Sequence, residues 1–255
     1  MFESKEPAGA LQDALQRIRS AHFDAAGRAG DYVALRRPEH AHGLEAAVAA
    51  LAEFDPRALP IPEPIAFWIN VYNATMLLAA RVCAPGEPVT GIAGLFDRPR
   101  VTICGQAFSL DDIEHGLLRG NAPKYGRWGG PFGRDDPRLV FTPRLHDERV
   151  HFALYTACRS SHALRVFGLR PVGEDLEAAV RDCVRRDVRV ADDGAWIEVP
   201  RLFKWYPGDF GGEPGVLDFV LARVEDEAVV DRVDARRGDV KLVYKAFDWT
   251  LGQLE

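Results

Sequence analysis

The chain has 255 residues, 47% of them apolar and 27% charged, and its net charge of −6 is spread over 32 Lys/Arg and 38 Asp/Glu. That is the composition of an ordinary globular protein, and the mixed charges leave no basic footprint for nucleic acid or an anionic membrane. The opening Met-Phe-Glu-Ser-Lys-Glu-Pro lacks the apolar run of a secretory signal, and no stretch approaches the roughly 18 apolar residues of a membrane span, so a cytoplasmic location is expected.

Residues 9–28 and 43–54 carry apolar positions at helical spacing (Leu11, Leu15, Ile18; Leu44, Ala47, Val48, Leu51), which predicts two amphipathic helices. Pro60-Ile-Pro-Glu-Pro64 cannot be helix interior and ends the second. A nearly all-apolar helix follows over 65–80. Val101–Phe108 predicts a hairpin turning at Gly105, and Ser109 with Asp112 predicts a near capping box opening a helix to Arg119. Residues 120–137, rich in Gly, Pro and Arg, predict a long loop that is functional or mobile.

Arg149–Tyr155 predicts a strand, followed by a turn at Arg159-Ser-Ser161 and a short helix through Val166. An amphipathic helix over 173–186 comes next, then a hairpin pairing 188–190 with 195–199 around Asp192-Asp-Gly194. A compact turn over 202–210, a helix near 214–223 and a strand-like segment over 240–249 complete the chain. The sum is an α+β protein with many helices around a small, mostly antiparallel sheet. A single compact domain over 1–255 is expected, its N-terminal helices (9–54) packing on a core of about 40–250.

Asn70 and Asn73 stand one turn apart on the apolar helix. A buried Asn must satisfy two donors and an acceptor, so the pair implies an internal polar network that either ties down loop backbone or lines a site. Glu114 shares a face with Leu110, Leu117 and Leu118 and needs a donor, which the Asn pair or Arg149 could supply. That pairing would gather three elements around one pocket. Glu114 and His115, being adjacent, point about 100° apart and are not expected to pair.

Four strings together resemble a known family, the one named for domain of unknown function 547: Phe67-Trp-Ile-Asn-Val-Tyr-Asn-Ala74, Ser109-Leu-Asp-Asp-Ile-Glu-His115 with Arg119, His151-Phe-Ala-Leu154 with Leu164-Arg-Val166, and Tyr244-Lys-Ala-Phe-Asp-Trp249. Trp205-Tyr-Pro-Gly-Asp-Phe210 has a counterpart there as well. The resemblance covers about residues 40 to 250. It implies a family of bacteria and plants, where the domain can follow a leucine-zipper segment, and it implies no reaction. Where that family typically has a Cys two residues after His-Phe-Ala-Leu and later a Ser-Cys-Pro or Ser-Ser-Pro turn, this chain has Thr156 and Ser160-Ser161-His162, with Cys158 the nearby thiol.

On its own terms, a strand entering a helix through Arg159-Ser160-Ser161 would aim backbone N–H groups and a cation at an anion or a developing oxyanion. Cys158 or Ser161 is then a candidate nucleophile and His151 a candidate base; Ser161 is equally suited to cap the helix. Within a strand, however, His151 and Cys158 fall on opposite faces, so a dyad requires the strand to end or bulge before residue 158. Arg159 and His162 could reach a bound anion. Asp209 and Asp248 sit in turn-like settings that suit Asx turns or caps, a catalytic or metal role being the alternative, and Asp209 is kept as a candidate binding residue.

No Cys-x-x-Cys pair joins Cys83, Cys104, Cys158 and Cys183, and no P-loop, EF-hand or dinucleotide fingerprint occurs, so neither metal nor cofactor is expected. Two functions stay open. One is a metal-independent hydrolase or acyl transferase using Cys158 or Ser161, His151, Glu114 and an orienting Asn70 or Asn73. The other is a binding module whose polar pocket takes a small molecule or peptide, or whose 120–137 loop, with Arg127 and Trp128, takes a protein partner. The enzyme predicts a nucleophile beside a His; the module predicts a pocket without that pair.

Overall fold

The structure, a computed structural model, describes residues 6–60, 63–144, 146–170 and 172–254. It is α+β and divides into two compact units, one running to Asp175 and rejoined by the piece from Asp248, the other Leu176–Phe247. Among the described residues, no helix is long and apolar enough to cross a membrane.

In the first unit, α1 (Glu6–His22) buries Leu11, Ala14, Leu15 and Ile18, one stripe of its surface. It ends six residues short of the expected 28. There Asp24 accepts from the N–H of Arg28 through its side chain and from that of Gly27 through its carbonyl, and Gly27 takes a left-handed φ of 74°. A short α2 (Tyr32–Leu35) starts at Asp31, whose carboxylate accepts from Ala34 N–H at 2.9 Å. α3 (Pro38–Ala49) has Pro at its first position, where no N–H is needed. Of the Pro-rich piece expected to end it, Ile61 and Pro62 lie outside the described residues.

α1 and α3 pack on α4 (Glu63–Ala80), the helix that carries the Asn pair. Phe67, Trp68 and Tyr72 on α4 are fully buried. Each contributes about 1.5–3 kcal/mol of apolar burial, so α4 owes its place to packing on all sides rather than to an amphipathic stripe. The expected hairpin forms from β1 (Val101–Ile103) and β2 (Gln106–Phe108), paired antiparallel. Its two-residue loop, Cys104 and Gly105, has φ of 48° and 71°, the double positive φ that matches hairpin twist.

Ser109 and Asp112 form the reciprocal box: Ser109 N–H donates to Asp112 Oδ2 at 2.8 Å and Asp112 N–H to Ser109 Oγ at 3.0 Å. The helix that follows is underwound into a π-helical segment, Asp112–Leu118, closed by Arg119 N–H to Glu114 O and Asn121 N–H to Gly116 O. Such i→i+5 turns are rare and often mark functional places.

Two expectations around residue 151 are corrected. Residues 149–155 are not a strand: Glu148–Phe152 is a 3₁₀ turn started by Asp147, whose side chain accepts from Arg149 N–H. No helix follows Ser161 either, for residues 161–168 have no regular secondary structure. The C-terminal piece is clasped beside them, with Arg159 N–H on Thr250 O, Ser160 N–H on Asp248 O, Leu251 N–H on Glu87 O and Gly252 N–H on Ala157 O.

The chain enters the second unit within α5 (Gly173–Asp187), which leads to β3 (Arg189–Val190) and β4 (Trp196–Val199), antiparallel as expected. β5 (Lys241–Tyr244) adds to β4 in parallel. α6 (Leu202–Trp205), a 3₁₀ turn Pro207–Phe210, α7 (Gly212–Leu221) and an unforeseen α8 (Glu227–Asp234) lie between.

Candidate functional site

The Asn side chains behave as backbone substitutes. Asn70 donates to Phe167 O at 2.7 Å and accepts from Phe167 N–H at 3.0 Å, closing a two-bond ring. Asn73 donates to Ala153 O at 3.1 Å and to Arg165 O at 3.4 Å, and accepts from Tyr155 N–H at 2.9 Å. Segments 153–155 and 165–167 are thereby held against α4 without a neighbouring strand. Of the two readings left open by the sequence, tying down loop backbone is the one these bonds match.

The Cys158 turn is equally occupied. Thr156 N–H donates to Ser161 Oγ at 2.9 Å, and Ser161 Oγ donates its own proton to His162 O at 2.8 Å. Cys158 is buried and its Sγ lies 3.4 Å from Thr156 Oγ1. Burial pushes its pKa up to about 11, against smaller lowering contributions from the Thr156 hydroxyl and the N–H groups of Ser160 and Ser161. No hydrogen bond joins Cys158 to His151, which is itself buried on the 3₁₀ turn. The face argument that set them apart lapses with the strand, yet the pair still does not form. The residue before the thiol, Ala157, holds a φ of 57°, a conformation L residues seldom adopt.

The other candidates scatter. Arg149 lies along Asp147, Nε to Oδ1 at 2.9 Å and Nη2 to Oδ2 at 2.7 Å, and donates to Gly173 O. It therefore does not serve Glu114, and neither does the Asn pair. Glu114 Oε2 instead accepts from the Tyr72 hydroxyl on α4 at 3.4 Å. Arg159 is exposed, 3.9 Å from Asp248, which forms the expected Asx turn by accepting from Thr250 N–H. His162 rests its ring on Phe152. Asp209 lies in the second unit, in the first turn of Pro207–Phe210.

A polar cleft opens elsewhere in the first unit, between the residues before β1, the start of the π-helical segment and the long loop. Two adjoining hollows of about 250 and 260 Å³ share Asp97, Asp111, Lys124 and Arg127. Asp111 receives the Lys124 ammonium on both oxygens at 2.8 Å, and Lys124 also sits over the Phe96 ring. His115, buried, borders one hollow. Arg119 Nη1 lies 3.0 Å from His115 Nδ1; a guanidinium only donates, so Nδ1 accepts and the ring proton is on Nε2, facing Asp111 Oδ1 at 3.6 Å. Burial lowers the His115 pKa, and Glu114 and Asp111 only partly oppose it, so the ring is neutral at pH 7. Glu114 Oε1 lies 3.8 Å from Nδ1, which bears no proton in this tautomer, so the adjacent pair makes no hydrogen bond, as the sequence spacing predicts.

The loop over this cleft is cinched at its base. Asn121 donates to Phe132 O at 2.9 Å and accepts from Phe132 N–H at 3.0 Å. Phe132 packs on Gly116 so closely that a Cβ there would lie 2.3 Å from its ring, and Arg138 covers Phe132 from 4.4 Å. Between these ends Gly126 and Gly129, with φ of 76° and 78°, project Arg127 and a fully exposed Trp128. Sequence reasoning singled out Arg127 and Trp128 but missed Asp97, Asp111 and Lys124, which nothing but chain closure brings together. Among the described residues, no three of His, Cys, Asp or Glu converge to hold a metal ion.

A family model described as protein of unknown function, DUF547, matches residues 56–184, half of the chain, and the chain belongs to that family. No curated protein and no solved structure matches it. The matched span contains the Asn helix, the π-helical segment, the cleft and the Cys158 turn.

Proposed function

We propose that this DUF547 chain is a ligand-binding module whose site is the polar cleft under the 121–132 loop. The observation that carries the reading is the contrast between two places. The Cys158 turn has its hydroxyls and backbone groups engaged with one another and a thiol protonated at neutral pH. The cleft offers side chains open to a ligand: among the described residues, Asp97 and Arg127 make no side-chain hydrogen bond or ion pair, Asp97 interacting with Arg100 only at longer range, and Trp128 is wholly exposed. A hydrolase needs an activated nucleophile near a base. What supports the module instead is a concave polar surface without such a pair.

The test is a thermal-shift screen of the intact protein against a metabolite and fragment library, repeated with each hit on variants. Hits should vanish in Arg127→Ala and Asp97→Asn and persist in Cys158→Ala and His151→Ala. Hits that persist in the cleft variants and vanish in Cys158→Ala or His151→Ala would overturn the reading, as would a library that yields none.

A further inference from the structure

We propose that the occupant of this cleft is a carbohydrate, with a pyranose ring stacked on Trp128 and its hydroxyls shared between Asp97 and Arg127. This rests on the cleft being the binding site. Most of the charges in the cleft are matched within it. Lys124 is neutralised by Asp111 through two 2.8 Å contacts, and His115 carries its single ring proton on Nε2. Asp112 is paired with Arg138, which leaves one carboxylate, Asp97, and one guanidinium, Arg127, bordering both hollows with no side-chain hydrogen bond or ion pair among the described residues, Asp97 interacting with Arg100 only at longer range. An anionic ligand would satisfy Arg127 and desolvate Asp97; a cationic one would do the reverse. A neutral ligand that offers donors and acceptors on neighbouring atoms satisfies both, and each sugar hydroxyl donates one hydrogen bond and accepts two.

The second observation is aromatic. Trp128 has a relative exposure of 103% and Tyr125 of 57%, on a loop whose other aromatic, Phe132, is buried as its anchor. An indole held in water at a loop tip, between two glycines of positive φ, adds nothing to the packing of the unit. Its face carries the negative side of the ring quadrupole and attracts the polarised C–H groups that line one side of a pyranose. A zwitterion such as a free amino acid also matches Asp97 and Arg127 in sign. Exposed ion pairs contribute little in water, however, and a zwitterion leaves the indole uncovered. The hollows are open and smaller than the roughly 300–1,000 Å³ of enclosed small-molecule pockets, which suits one or two sugar rings laid on a surface.

The experiment is isothermal titration calorimetry of the full chain with cellohexaose, xylohexaose, chitohexaose and maltohexaose, and separately with free amino acids as zwitterionic probes. At least one hexasaccharide should bind. Trp128→Ala should weaken that binding tenfold or more, Trp128→Phe much less, and Asp97→Asn and Arg127→Met each at least threefold. Trp196→Ala, an exposed Trp of the second unit, should leave it unchanged. Raising NaCl from 50 to 500 mM should change the affinity less than twofold, as befits a neutral ligand. Because Trp128 packs on nothing, its variants should melt like the parent. If no hexasaccharide binds, or if one binds equally well to Trp128→Ala and Arg127→Met, the carbohydrate assignment is wrong. An amino acid that binds and is lost in Arg127→Met would overturn the ligand class alone and leave the cleft as the site.

Discussion

Asn70→Ala should be among the most destabilising single substitutions in the chain. The amide closes two bonds with Phe167, at 2.7 and 3.0 Å, and both residues are buried, so water cannot replace the lost partner. Orphaning a buried N–H and a buried C=O costs about 1–3 kcal/mol each, or about 2–6 kcal/mol together. That is a large share of the roughly 5–15 kcal/mol that holds a domain folded. Asn70→Asp makes the test sharper. The protonated carboxyl can make the same pair of bonds, whereas the carboxylate can only accept, and one of its oxygens then faces Phe167 O. Burial and that carbonyl raise the new carboxyl's folded-state pKa above the roughly 3.9 of the unfolded chain. The folded state then binds more protons than the unfolded one. Stability is therefore retained below about pH 4 and falls as pH rises through the folded-state value. Urea denaturation followed by circular dichroism at about pH 4.5 and pH 8 reads both effects. The reasoning is refuted if Asn70→Ala costs less than about 0.5 kcal/mol, the level of an ordinary surface change. It is also refuted if the deficit of Asn70→Asp is the same at both pH values.

The remaining predictions concern the thiol, the loop anchor and the second unit. With a pKa of about 11, the Cys158 thiolate fraction at pH 7.5 is about 1 in 3,000, against about 1 in 10 for an unperturbed thiol near 8.5. Peptide mass spectrometry should therefore show alkylation slower by about 300-fold or more and unaltered by His151→Ala; rapid labelling that depends on His151 would contradict this. Gly116→Ala drives a Cβ into the Phe132 ring and should cost about 1–3 kcal/mol. Hydrogen exchange over 121–132 should accelerate with it, and unchanged protection there would refute the anchor. In the second unit, burial acts to raise the Asp187 pKa, but Arg186 and Lys245 outweigh it and hold the carboxyl below its usual range. The stability this confers is present above the unfolded-state value and is lost as pH falls through the folded one. Lys245→Met should cost about 1 kcal/mol at pH 7, screening of its half-exposed ammonium included, and should flatten the acid limb of the urea midpoint against pH.

What could be read from the chain was whatever rests on local chemistry. The Ser109–Asp112 box, the Gly105 turn and the alternating 195–199 strand each carry their own hydrogen-bond logic within a few residues. Residues 149–155 misled because alternation of Val150, Phe152 and Leu154 suits a strand, whereas in the structure the intervening His151, Ala153 and Tyr155 are buried as well. The decision lay with Asp147, which captures Arg149 N–H, and with Asn73, eighty residues away, which takes the bonds a strand partner would have made. The absent helix after Ser161 has the same cause, since Asn70 and the C-terminal piece take the backbone groups of 159, 160 and 167. The cleft was the least legible part. Asp97 precedes the hairpin, Asp111 begins the next helix and Lys124 lies on the loop. Their meeting depends on Phe132 docking against Gly116 through a π-helical turn that has no sequence signature.

The most direct test of the cleft as the binding site is ¹⁹F NMR of the protein labelled with 5-fluorotryptophan, titrated with a compound that raises its melting temperature. Five tryptophans give five resonances, among them the solvent-facing Trp128 and the buried Trp68. The account predicts that the stabilising compound shifts the Trp128 resonance saturably and leaves Trp68 in place. A compound that stabilises the protein while Trp128 stays unmoved, or that moves Trp68 instead, would contradict it.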